Sequence, residues 1–186
     1  MSNLYVISGP SGVGKDTLVA LVFERIPNLK SSVSVTSRPP RKGEKEGREY
    51  FFKSKEEVKE LINNGGLAEW NEYAGNIYGT PKSFIDEQLK EGNDILLSID
   101  VNGAFNIKKH YPDSILIFIL PPSIDELRKR LLNRGTETEE QIERRLSIAE
   151  AEIKRSSEFT YRIVNDKIEE AANKIVKYIA NDNKLV

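Results

Sequence analysis

The sequence predicts an α/β protein, a mostly parallel sheet covered by helices on both faces, with a small α+β insertion and a helical segment near its end. Three observations carry this. "LYVIS" (4–8), "DILLSID" (94–100) and "SILIFIL" (114–120) are apolar runs rich in Leu, Ile and Val, too short for helices and suited to strands buried on both sides. Each is followed by a helical pattern, and strand then helix, repeated, implies parallel strands. Residues 33–93 interrupt the alternation with short aromatic and β-like runs.

The elements follow in order. "DTLVALVFERI" (16–26) has apolar residues at helical spacing and stops at Pro27; "VNGAFNIKKH" follows Asp100; "SIDELRKRLLNR" follows Pro122, with Ser123 and Glu126 spaced as a capping box. A long charged helix is expected from about Thr138 to Ser157, then a strand "YRIVN" (161–165) and an amphipathic helix from about Lys167 to Ala180. Inside 33–93, "SVSVTSR", "REYFF" and "LAEWNEY" read as strands, and "SKEEVKELINN" as a helix with Ser54 and Glu57 as another capping box. Trp70 and Tyr73 are expected to pack that small unit. With 186 residues and no repeat, low-complexity tract or Gly/Ser linker, the whole of 1–186 reads as one domain. Its core is about 1–32, 94–125 and 150–186, its insertion about 33–93 and its helical segment about 126–149.

Composition narrows the function. A net charge of -1, with 31% charged and 38% hydrophobic residues, gives no bulk field toward nucleic acid or an anionic membrane. Cysteine is absent, which excludes disulfides, thiolate metal sites and cysteine nucleophiles, and fits a reducing compartment. No apolar run approaches the roughly 20 residues a membrane helix needs, and "MSNLYVISGP" lacks a charged leader, so a cytoplasmic location is expected.

Gly9-Pro10-Ser11-Gly12-Val13-Gly14-Lys15 satisfies GxxxxGK, and it stands between an expected strand and an expected helix as that motif requires. Glycines let successive N–H groups face one point, the helix start adds partial positive charge and Lys15 adds a full one. Such a loop takes a di- or triphosphate. A Gly-rich turn alone would have no use for Lys15. The next residue is Asp16, where this motif usually has Ser or Thr. A first-turn carboxylate gains roughly 0.3–1 kcal/mol from the helix dipole. A phosphate about 5 Å away at an effective dielectric near 20 would repel it by ~3 kcal/mol. Either a magnesium ion lies between them, or Asp16 turns away and Thr17 supplies the hydroxyl; the second is favoured.

A second anion site is expected in the insertion. Arg38, Arg41, Lys42 and Arg48 lie in a loop where Pro39 and Pro40 forbid a helix, and closely spaced guanidiniums suit bidentate capture of a phosphate. A solvated basic turn is the alternative on that segment alone. Downstream, "LAEWNEYAGNIYGTP" offers Glu69, Tyr78 and Thr80, a carboxylate with hydroxyls on irregular backbone. A carboxylate can accept both N1–H and the 2-amino group of a guanine edge, which adenine cannot present.

"SGPSGVGK", "SVTSRPPRKGE…G…Y", "EW…Y…GNIYGTP", "SIDVNG", "PPS…L…RL…RGTE", "RRLSIAEAE" and "IVND" occur in the order and at the spacings of the guanylate kinase family, which the whole chain resembles. The resemblance implies a P-loop kinase core with a GMP-binding insertion and a helical lid, and ATP-dependent phosphorylation of GMP, and of dGMP, with Mg²⁺. It implies Ser34, Arg38, Arg41, Tyr50 and Tyr78 as ligands of the GMP phosphate, and Glu69, Thr80 and Ser34 as readers of guanine. Asp100 matches an acidic position near GMP and the metal, while also suiting a helix N-cap. Arg130, Arg134 and Arg145 correspond to lid arginines that close over the γ-phosphate, with Gly135 as a hinge, and Asn165 to a position near adenine. The metal set implied is Thr17, Asp16 and Asp100. Ser98 stands where many members carry a second acid, which touches the metal arrangement and not the acceptor.

Phosphoryl transfer needs positioning and charge cancellation, so no general base is assigned, the GMP phosphate being the nucleophile. Arg128, Lys129 and Arg144 read as a salt-bridged helical surface beside the glutamates of the same segment, and His110 as a surface helix end. Two competing readings stay open on the sequence. One is a catalytically inactive protein-binding module of the same fold, against which Lys15 speaks. The other is a P-loop kinase for a different small phosphate acceptor, against which Ser34, Glu69 and Thr80 speak.

Overall fold

The computed structural model describes residues 2–73, 75–133 and 138–182. Four strands form the principal sheet: β1 (Leu4–Ser8), and three that follow the insertion. The chain leaves β1 through α1 (Lys15–Arg25), passes β2 (Val35–Thr36), β3 (Phe51–Phe52) and α2 (Lys55–Asn63), and makes a hairpin of β4 (Leu67–Tyr73) and β5 (Asn76–Pro81). It returns by α3 (Lys82–Lys90) to β6 (Ile95–Ser98), α4 (Val101–His110), β7 (Ile115–Leu120), α5 (Ile124–Leu132) and α6 (Glu139–Lys154). A 3-10 turn (Arg155–Glu158), β8 (Tyr161–Val164) and α7 (Ile168–Asp182) complete it.

The strand order is β6-β1-β7-β8, parallel throughout, as the apolar runs predict. Alternation divides β1, β6 and β7 between two cores. Tyr5 and Ile7 of β1 and Ile117 and Ile119 of β7 face α1 and α7, meeting Leu18, Val22, Ala172 and Ile175. Leu4, Val6, Leu116 and Phe118 face α3 and α4, meeting Ile85, Val101, Ala104 and Ile107. Two-sided burial explains why these strands carry almost no polar residue. It also lines up the carboxyl ends of all four on one edge, where doubly wound sheets bind their ligands.

The insertion has its own sheet, β3-β2-β5-β4, over a small core of Val35, Val58, Leu67 and Ile77. Glu69 pairs with Thr80, Asn71 with Tyr78 and Tyr73 with Asn76 along the hairpin, which reverses where Gly75 takes a left-handed φ of 75°. A second small core, Leu127, Leu131, Ile142, Leu146 and Ala149, zips α5 to α6.

Four expectations need correction. Glu69, Tyr78 and Thr80 stand on the paired strands β4 and β5 and not on irregular backbone, since Gly79 lies within β5 and Pro81 at its end. Helix α3 was not anticipated: its N-cap is Pro81, with no side-chain cap bond, so the Ser/Thr/Asp/Asn start signal is missing. Ser123 caps α5 by accepting from the N–H of Glu126, but the reciprocal half of the box is absent because Glu126 pairs with Arg130 instead. The complete boxes are Ser54 with Glu57 and Thr138 with Gln141. Trp70 and Tyr73 do not pack the insertion; they are 45% and 64% exposed, because α2 covers only part of a two-faced hairpin. His110 ends α4 at the surface, its Nδ1 3.0 Å from the carbonyl of Asn106.

Ile117 lies fully buried on β7, between β1 and β8. Ile117→Ala is expected to lose about 3 kcal/mol of stability and Ile117→Val about 1 kcal/mol. Urea unfolding would show this as lower midpoints at an unchanged slope.

Candidate active site

The loop after β1 is built to present backbone N–H groups. Gly12 and Gly14 take φ of 85° and 94°, conformations that L side chains rarely adopt. A Cβ at Gly12 would also meet Leu131 Cδ2 at 2.8 Å, and one at Gly14 would meet Asn165 Nδ2 at 2.8 Å. Val13 is fully buried, and Asn165 Nδ2 donates to its carbonyl at 2.8 Å, so the loop is pinned from beneath. Lys15 folds its ammonium back onto the carbonyls of Gly9 and Pro10. Burial holds its pKa below the usual lysine value, against the opposing pull of Glu152, Asp16 and Asp100. Ser11, Asp16 and Thr17 are exposed around the loop, while Gly9 and Pro10 are buried.

Asp100 closes the link from β6 to α4. Its Oδ1 accepts from the N–H of Gly103 at 2.8 Å, so it is the N-cap the sequence allowed. Its Oδ2 accepts from Asn71 Nδ2 at 2.6 Å. Three adjoining clefts spread from this point. One is lined by Gly9, Ser11, Lys15, Arg145 and Glu152, among others. Another is lined by Tyr50, Tyr73 and Tyr78 with Asn71 and Asp100, and the third holds Ser34, Glu69 and Ser98. The larger two, 450 and 420 Å³, fall in the range of small-molecule sites, about 300–1,000 Å³.

On the insertion side, Arg38 makes a bidentate pair with Glu44, Nη2 to Oε1 at 2.8 Å and Nη1 to Oε2 at 3.0 Å. Its guanidinium lies 5.5 Å from the ring centre of Tyr50, and Tyr50 meets Tyr78 edge-on at 5.8 Å. The backbone N–H of Arg41 donates to Glu44 Oε2 at 2.7 Å, leaving the Arg41 side chain exposed. Arg38 therefore holds Glu44 below the usual carboxylate range, with the Arg41 N–H assisting. Lys42 and Arg48 stand in solvent, away from this cluster's interior.

Glu69 is 6% exposed and Thr80 1% exposed; Thr80 Oγ1 donates to Glu69 Oε1 at 2.5 Å. Burial pushes the Glu69 carboxyl up to about 7; the Thr80 bond opposes this and Asp100 adds to it. Thus Ser34, Tyr50, Glu69, Tyr78, Thr80 and Asp100 gather around one hollow on the insertion side, with Arg38 at its rim.

Two of the three arginines expected to form a lid are described. Arg130 on α5 donates from Nη2 to the carbonyl of Asn165 at 3.2 Å, and Arg145 on α6 donates from Nη1 to Ser11 Oγ at 3.3 Å. Arg145 thus touches the loop itself, and Arg130 the residue that supports it. Arg134 and Gly135 lie outside the described residues. Arg128 pairs with Glu143 across α5 and α6, while Lys129 and Arg144 are exposed, in keeping with a charged surface. Asn165 is 3% exposed and faces the phosphate loop from inside the fold.

Sequence reasoning missed Glu44, Asn71 and Glu152. Strand alternation could have found Asn71, two residues from Glu69 and so on the same face. Glu152 follows Arg145 by seven residues, two helical turns, and could have been found in the same way. For a metal, Asp16, Thr17 and Asp100 offer oxygen donors only, which fits magnesium, an ion that completes its shell with water and substrate oxygens.

A glycine-rich loop of the phosphate-binding pattern after the first parallel strand, a cleft between that edge and an insertion, and arginines reaching in from two helices are the features of a P-loop phosphotransferase. The guanylate kinase family model matches residues 1–182. Relatives named guanylate kinase include one from Lactococcus lactis subsp. lactis, 47% identical over 95% of this chain and 86% of its own. Another, from Synechococcus sp. (strain CC9311), is 49% identical over 92% and 90%. The crystal structure of guanylate kinase from Anaplasma phagocytophilum matches with a TM-score of 0.75 at 36% identity, covering 97% of this chain and 86% of that one. The chain belongs to the guanylate kinase family and is an enzyme of the nucleoside monophosphate kinase class. No helix among the described residues is long and apolar enough to cross a membrane.

The raised Glu69 carboxyl links stability to pH. Between the unfolded-state value near 4.5 and the folded value of about 7, the native protein holds a proton that the unfolded chain releases. Stability from this group is therefore full below pH 4.5 and is lost as pH rises through 7. Glu69→Gln should be more stable than the parent by about 3 kcal/mol at pH 8 and indistinguishable from it near pH 4. Urea unfolding at both values checks this, and an equal difference at the two would count against the assignment.

Proposed function

We infer that this chain transfers the γ-phosphoryl group of ATP to the phosphate of GMP, giving GDP, with dGMP as a second acceptor, in purine nucleotide metabolism. The observation that carries the acceptor assignment is the buried Glu69–Thr80 pair beside the Arg38–Tyr50–Tyr78 cluster. A carboxylate that accepts two donors reads guanine, and the cationic, hydroxyl-bearing rim reads a phosphate. Lys15 and its intact cradle argue against the non-catalytic protein-binding reading.

In this reading Gly9 to Thr17 hold the donor phosphates, with Asn165 supporting the loop beneath them. Ser34 and Thr80 join Glu69 at the base, while Arg38, Arg41, Tyr50 and Tyr78 hold the acceptor phosphate. Lys15, Arg130, Arg134 and Arg145 cancel charge on the group in flight, the acceptor phosphate oxygen attacking in line. Asp16, Thr17 and Asp100 would hold Mg²⁺ through its waters, and the ion would supply neutralisation of charge on the ATP phosphate oxygens. Residues 33–93 serve as the acceptor region and 126–149 as a lid that excludes water on closing. The reading includes a cytoplasmic site of action, which suits a cysteine-free sequence and is compatible with the described residues holding no helix long and apolar enough to cross a membrane.

ADP release is to be measured with GMP, dGMP, AMP, CMP and UMP in turn. Turnover confined to the two guanine nucleotides is expected; none with GMP, or equal rates with AMP, would overturn the assignment. Asp16→Ser should retain activity and shift the Mg²⁺ or Mn²⁺ requirement only modestly. Loss of nearly all turnover in that variant would place Asp16 on the metal.

A further inference from the structure

Asn71 stands where the donor and acceptor clefts meet. On β4 it shares a face with Glu69, and Tyr78 lies opposite it in the hairpin register. Asn71 and Asp100 are the two residues that line all three clefts described above. Their 2.6 Å bond joins the insertion to the core at the first turn of α4. The approach there is close: a Cβ at Gly103 would meet Glu69 Oε2 at 2.8 Å, so two β4 side chains rest against one helix start.

The charges around Asp100 give the bond a purpose. Lys15 lies on its donor side, and Glu69 and Glu152 are carboxylates within electrostatic reach. Left with only the Gly103 N–H, the Asp100 carboxylate could turn about that contact toward Lys15. The amide of Asn71 fixes the second oxygen at the partition between the clefts and adds no charge there.

We propose that Asn71 is a positioning residue that acts through Asp100, holding that carboxylate and the β4 hairpin in the register at which the acceptor nucleotide meets the donor phosphates. The proposal rests on the reading of this cleft as the GMP site.

GMP binding without ATP is read by isothermal titration calorimetry. Asn71→Ala is expected to weaken GMP binding about tenfold and to leave the KM for ATP within about twofold of the parent, since the bond is to an ionised group on the acceptor side. Asp100→Ser keeps a helix cap but removes the second oxygen that Asn71 bonds, so adding Asn71→Ala to it should change GMP affinity by less than about twofold. Unchanged GMP affinity in Asn71→Ala, or losses that add in the Asn71→Ala, Asp100→Ser double variant, would each overturn the proposal. A parent protein that binds and phosphorylates GMP while Asn71→Ala behaves identically defeats this inference alone. A parent that does neither defeats the GMP reading beneath it.

Discussion

Everything at the cleft hangs from β1, held between β6 and β7 by parallel hydrogen bonding and clamped by apolar side chains on both faces. A strand fixed on all four sides can end abruptly in a strained loop without fraying. Gly12 and Gly14 spend that rigidity on left-handed backbone, and buried Val13 and Asn165 keep the loop from relaxing. Because the neighbours run in the same direction, Asp100 after β6 and Asn165 after β8 arrive on the same edge. The site is a consequence of strand polarity before it is a set of residues.

Around that edge the protein keeps opposite charges close but unequal in burial. Lys15 is desolvated and faces carboxylates; Arg38 is stacked on aromatic rings and neutralised by Glu44; Arg130 and Arg145 rest on a carbonyl and a hydroxyl. None of these cations waits bare. Glu69 goes the other way, a buried carboxyl with one hydroxyl partner and a pKa pushed up to about 7. Such a group becomes a stronger acceptor when a ligand brings N–H donors, since those favour its ionised form.

The layout of the sheet is legible in the sequence because two-sided burial writes itself as unbroken apolar runs, and "GPSGVGK" carries its conformation locally in its glycines. The capping boxes at Ser54 and Thr138 belong to the same kind of signal. What escapes is whatever depends on partners distant in the chain. Asn71 gains its significance from Asp100, 29 positions away, and Glu126 abandons its capping role for Arg130. Trp70 and Tyr73 look like core residues by composition, yet the insertion is too thin to cover them. Helix α3 has no chemical start signal, because a proline occupies its cap. For the site, residue types and order are readable; their division between a donor face and an acceptor face is visible only after folding.

On the proposed reading, the Arg38–Glu44 pair makes anion recognition at the rim an exchange and not a capture. An incoming phosphate would meet a guanidinium whose Nη1 and Nη2 already donate to a carboxylate of matching geometry, and that carboxylate is further tied to the Arg41 N–H. Any anion that binds Arg38 through those donors must outdo this resident competitor. A phosphate dianion, with more charge and a third oxygen for Tyr50 or Tyr78, is equipped to do so; chloride or a lone carboxylate is not. The same carboxylate keeps the arginine aligned between turnovers, so selectivity against weaker anions and readiness for the next phosphate come from one ion pair.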